Sequence, residues 1–124
     1  MTELEYLIDC LDGSYRFCAG YGDLVSFEIT TDIEGLESIS GELNETDSKA
    51  FKDAVEASGI ERWEKEYAAD ASAIEDGIRW SVVYMKEGKE YRSHGEESFV
   101  PYGHEELIKA IRLCDVNNDY LFQI

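Results

Sequence analysis

Four segments of this chain alternate apolar and polar side chains with a period of two. Leu4, Tyr6, Ile8 and Cys10 alternate with Glu5, Leu7 and Asp9, and Tyr15, Phe17 and Ala19 continue the pattern. Val25, Phe27 and Ile29 alternate with Ser26, Glu28 and Thr30, and Ile78, Trp80, Val82 and Tyr84 with Arg79, Ser81, Val83 and Met85. Successive strand side chains point to opposite faces, so this pattern buries one face of a sheet and leaves the other wet. Asp12-Gly13 and Glu87-Gly88 punctuate the segments. Glycine tolerates the positive φ of tight hairpin turns, and strands joined that way pair antiparallel.

Two stretches carry helical spacing instead. Thr46 or Asp47 suits an N-cap, Phe51, Ala54, Val55 and Ser58 share one face, and Gly59 is a stop. His104 to Cys114 places Leu107, Ile108 and Ile111 on one stripe. Asp32 to Asn44 reads as a short helix or an ordered loop, because Gly35 and Gly41 interrupt its periodicity. Ile60 to Ala69 reads as a strand, since Gly59 has already ended the helix. Lys89 to His94 is a further strand, and Gly95 to Gly103 a loop containing Pro101. The expected fold is α+β: an antiparallel sheet of about five or six strands, with two amphipathic helices on one face. The other face is solvated or open to a partner.

The 124 residues suit one domain, residues 1–124. Hydrophobic residues at 44% and aromatics at 12% supply a core, which excludes an acidic disordered tail. No apolar run approaches the ~20 residues of a membrane span. The acidic start Met1-Thr2-Glu3-Leu4-Glu5 lacks the form of a secretory signal. Three widely spaced cysteines (Cys10, Cys18, Cys114) read as reduced thiols, so a cytoplasmic location is expected. A minor alternative sets Cys10 against Cys18 across the first hairpin.

No catalytic, cofactor or metal residues are expected. Asp115-Val116-Asn117-Asn118-Asp119 opens like a calcium loop, but Tyr120 stands where glycine is needed and a twelfth position would lie past Ile124. His94 and His104, read as near solvent, can pair in principle with Cys18 or Cys114, yet no local nucleophile signature surrounds either thiol. Gly20-x-Gly22 precedes a strand, where a phosphate loop precedes a helix. Trp80 is expected in the core. Tyr21 and Tyr102 are read as loop residues suited to partner contacts.

Ile60, Trp63, Tyr67, Asp76-Gly77, Trp80, Glu87-Gly88, Gly95 and Pro101 fall in order before an apolar helix. Over residues 60–113 this pattern resembles a group of small bacterial proteins without an assigned activity. The resemblance implies structural marks and no catalytic residues.

Net charge is the outlier, at −17. Between Phe17 and Ser48 there is no Lys or Arg, while Asp23, Glu28, Asp32, Glu34, Glu37, Glu42, Glu45 and Asp47 all fall there. Direct binding to nucleic acid or an anionic membrane is disfavoured, because phosphates call for a basic patch. The complementary expectation is a basic protein partner, a nucleic-acid-binding enzyme or complex whose groove these carboxylates occupy. A domain of this size is roughly 35 Å across, and a duplex of that length carries about 20 phosphates. In size and charge, though without a motif, the chain resembles anti-CRISPR and anti-restriction inhibitors of phages and mobile elements. The expected contacts are those eight acids with Tyr21. A non-catalytic interaction domain that is acidic for solubility, an enzyme, and a homodimer through the open sheet face stay open.

Overall fold

The computed structural model describes residues 2–10, 12–67, 79–96 and 100–115. Among them seven strands form one sheet: β1 (Glu3–Cys10), β2 (Gly13–Tyr21), β3 (Val25–Thr31), β4 (Ile39–Glu42), β5 (Glu66–Tyr67), β6 (Arg79–Lys86) and β7 (Lys89–Glu96). Helices α1 (Glu45–Ser58) and α2 (His104–Cys114) follow β4 and β7. The spatial order is β4-β3-β2-β1-β6-β7-β5. All neighbours are antiparallel except β5 and β7, which run parallel. The sheet is therefore larger than five or six strands, and mixed. No helix among the described residues is long and apolar enough to cross a membrane.

The alternation decides which face is buried. Tyr6 sits opposite Phe17 on β2 and Val82 on β6, and Phe17 sits opposite Ile29 on β3. All four are at most 2% exposed. Phe51 and Val55 of α1 and Leu107 and Ile111 of α2 close over this side. Trp80 packs in this core, as expected. At the Glu87-Gly88 hairpin both residues have positive φ, at 52° and 81°, the pairing that matches strand twist.

Three local expectations need correction. Asp32 to Asn44, expected as a short helix or an ordered loop, is a loop only as far as Ser38 and then forms β4. Leu36 N–H closes a turn on the Ile33 carbonyl, and Ser38 Oγ accepts Thr31 N–H, so the chain reverses and Ile39 meets Ile29. The α1 N-cap is Asn44, whose Oδ1 accepts Asp47 N–H at 2.7 Å. Ile60 to Ala69 begins as a 3-10 turn, Ile60–Arg62, and among its described residues only Glu66–Tyr67 pairs as strand. Trp63 Nε1 donates to the Ser58 carbonyl at 2.8 Å, which folds this segment back onto the end of α1. The Asp76-Gly77 turn lies outside the described residues.

Several marks of the resemblance meet at the start of α2. Trp63 stands edge-on to Trp80, Gly95 faces Trp80 across the β6–β7 ladder, and Pro101 is buried one turn before His104. Gly103 enters α2 at φ 100°, and a Cβ there would lie 2.0 Å from the Ser58 carbonyl oxygen. The loop is thus seated on backbone that cannot yield. Gly88 also has positive φ but open space around it. Gly103→Ala is expected to cost about 3 kcal/mol or more, against about 1 kcal/mol for Gly88→Ala. Urea denaturation of both variants checks this, and equal costs would contradict it.

Candidate interaction surface

The base-free segment folds into one margin of the molecule. It forms the later part of β2, all of β3 and β4, and the first turn of α1. Ser48, 2% exposed, fastens this margin to the core: its hydroxyl accepts Val25 N–H at 2.9 Å and donates to the Leu43 carbonyl at 3.2 Å.

The eight carboxylates are strung along this margin and do not gather at one point. Asp23 in the β2–β3 turn, Glu42 at the end of β4, and Glu45 and Asp47 in the first turn of α1 lie at one end. Asp32, Glu34 and Glu37 lie at the other, beyond the far end of β3. Seven residues of strand separate the groups, roughly 20–25 Å. Glu28 stands between them on the uncovered face, opposite Ser40. All are exposed except Asp47, which is half-buried. Asp32 Oδ1 accepts Ser14 N–H at 2.8 Å. The ion pairs among the described residues are Arg16–Glu5, Lys49–Asp53, Lys86–Glu61, Arg92–Glu90 and Lys109–Glu106, and none involves these eight.

Tyr21 is not a loop residue. It ends β2 on the helix-covered side, half-buried, with its ring edge-on to Phe51 and Lys52 Nζ 5.6 Å from its centroid. Alternation along β2 puts it on the face of Tyr15, Phe17 and Ala19, because the strand runs two residues further than its apolar pattern suggests. Tyr102 is fully exposed and Val100 is 41% exposed, both just before α2.

The uncovered sheet face differs from the acidic margin. Glu5, Arg16, Cys18, Glu28, Val83 and Arg92 line an open depression of about 660 Å³ there. Arg16 bonds Glu5 at 2.6 Å and Arg92 bonds Glu90 at 2.8 Å on this face. Sequence reasoning missed both the β4 edge and the Ser48 fastening. Ser48 does lie on the buried face with Phe51, Val55 and Ser58, and that spacing was the available signal.

The thiols and imidazoles do not meet. Cys18 faces out beside Glu5, while Cys10 lies on the core side opposite Gly13, so a bridge across the hairpin is excluded. All three cysteines are free. Burial raises the Cys18 thiol, with Arg16 opposing, and pushes Cys114 up to about 12. His94 is exposed on β7, but His104 is only 7% exposed, contrary to expectation for a helix start. Its Nε2 meets the Tyr6 hydroxyl at 2.7 Å, and its ring lies against Trp80 and Trp63. No cluster of three or more metal-binding side chains occurs among the described residues. Of the calcium-like stretch only Asp115 is described; it is fully buried and accepts the Tyr15 hydroxyl. Residues 116–119 lie outside the described residues.

No protein-family model matches the chain, and no curated protein resembles it closely enough to carry an assignment.

Burial lowers His104 from its ordinary 6.5 to about 4. The unfolded chain therefore takes up this proton first as pH falls. The stability tied to neutral His104 is whole above pH 6.5 and is lost toward pH 4, about 3 kcal/mol in all. Wild type is compared with His104→Gln by urea denaturation at each pH, so that pH effects common to both cancel. The difference between the two is expected to shrink as pH falls from 7 to 4. A constant difference would show that His104 titrates normally.

Proposed function

We propose that this protein is a non-catalytic acidic binding module that occupies the basic groove of a nucleic-acid-processing protein and so keeps nucleic acid out. The supporting observation is the margin just described, where eight carboxylates stand with no basic residue between Phe17 and Ser48 in the chain and none has an ion pair among the described residues. Over 20–25 Å, one strand of B-DNA presents about six or seven phosphates. The linear charge density of the margin is of that order. Charges on folded strands, turns and a helix start lose less freedom on binding than the same charges on a flexible tail. Opposite potentials speed encounter, and the effect weakens with salt.

A second reading has an observation of its own. Val100 and Tyr102 are the exposed large hydrophobics among the described residues and sit together on the loop fixed by Gly103. An interaction domain that worked through this loop would lose binding in Tyr102→Ala and respond little to salt.

The test starts from a partner captured on the immobilised protein at low salt and measures that partner's binding to nucleic acid. The protein is expected to displace nucleic acid, about tenfold or more weakly at 200 mM than at 50 mM salt. The quadruple reversal Glu34→Lys, Glu37→Lys, Glu42→Lys and Glu45→Lys is expected to abolish displacement while leaving the circular dichroism spectrum unchanged. Displacement that survives this reversal would refute the reading.

A further inference from the structure

The acidic margin ends in an open sheet edge. Leu43 N–H donates to the Val25 carbonyl at 2.8 Å. Backbone groups alternate along an antiparallel ladder, so Gly41 and Ile39 also turn theirs inward, to Phe27 and Ile29. Ser40 and Glu42 consequently turn their N–H and C=O groups outward. Both residues are exposed, and among the described residues no strand lies on the outer side of β4. Such an edge is a template for another strand, and proteins usually block it with Lys, Pro, a bulge or a covering element. The sequence Ile39-Ser40-Gly41-Glu42 has no Pro or Lys and pairs without a bulge.

We propose that the outer edge of β4 accepts an extended segment of the partner as an added strand, and that this segment alternates basic and apolar residues. The proposal rests on the acidic-module reading and specifies how the partner engages. The two sides of the edge set the alternation. On the uncovered face an added strand would run beside Ser40 and Glu42, with Glu28 in the next row, so basic side chains are matched there. On the helix side it would run beside Ile39 and Gly41. Gly41 has no side chain, and the Phe27 ring stands 3.2 Å from where its Cβ would be. A short apolar side chain reaches half-buried Phe27 and Ile39 across that gap. A second copy of this chain is the wrong occupant. Edge-to-edge pairing would bring Glu42, Glu28 and the acids at both ends of β3 against their like.

The probe is a synthetic eight-residue peptide of alternating Lys and Val, with a control N-methylated at alternate residues to keep its charge and remove its backbone donors. Wild-type protein is expected to bind the first peptide with slowed hydrogen exchange at the Ser40 and Glu42 amides. Affinity should fall at least tenfold for the N-methylated peptide. Ser40→Pro gives a second arm. The lost N–H points to solvent, so the fold is expected to survive, while peptide affinity falls at least tenfold. Absent binding of the plain peptide, or equal affinity for both peptides, would overturn the proposal without any need for the variant. If Ser40→Pro still displaces nucleic acid from the partner while the quadruple charge reversal does not, strand addition is wrong and the acidic-module reading stands. If neither variant affects displacement, that reading fails as well.

Discussion

Everything in this fold follows from burying one face of a sheet and only one. Two helices cover the side that carries Tyr6, Phe17, Ile29 and Val82, and nothing among the described residues covers the other. A slip of one residue in any central strand would exchange those side chains for Glu5, Arg16, Glu28 or Ser81, so the register is strongly held. The same constraint requires partners for the polar atoms that come to the buried side. Tyr6 finds His104, Tyr15 finds Asp115, and Ser48 ties β3 to the start of α1. Each contact joins the sheet to a helix or a helix end. The polar contacts therefore place the helices, and the apolar contacts bind them.

The alternation made β1, β2, β3 and β6 legible from sequence, because period two has no competing explanation over seven or eight residues. The α2 helix was legible for the same kind of reason. β4 was not. Its four residues hold one apolar side chain and a glycine, and Gly41 makes sense in a strand only once Phe27 is known to lie across from it. Residues 60–67 misled for another cause. Trp63 and Tyr67 fit either period, and the choice was made by an indole hydrogen bond to Ser58, a tertiary contact with no local trace. Tyr21 and His104 share this lesson. Both sit where an element meets a loop, and what decides their exposure is the far side of the core: Phe51 for one, Tyr6 and Trp80 for the other.

The acidic segment was visible as a segment, but its shape was not. Its placement along β3 and β4 came from pairings that the sequence left open. Once placed, its cost to the fold is small. Two unit charges 10 Å apart in water repel by about 0.4 kcal/mol before screening, and a Debye length of about 8 Å at physiological salt reduces this further. The fold can therefore carry uncompensated carboxylates on this margin without a bonded cation for each. The paired charges lie elsewhere, as in Arg16 with Glu5 on the uncovered face. Solubility alone calls for charge of one sign on average. It does not call for eight carboxylates to follow one another with no Lys or Arg between them in the chain, although Lys52 of α1 does reach the Gly22 carbonyl in the β2–β3 turn.

The margin also has two unlike sides, and charge alone does not account for that. Toward the uncovered face β4 shows Ser40 and Glu42 with Glu28 behind them; toward the helices it shows Ile39, a gap at Gly41 and the Phe27 ring. A purely electrostatic surface has no use for the second side. An edge strand whose outer backbone groups are free does, because a ligand strand necessarily presents alternate side chains to both sides at once. In the proposed complex, charge would govern approach and disfavour a second copy. Backbone pairing would fix direction and register, and the Gly41 gap would limit what could follow each basic residue. The three would act at different stages of one encounter.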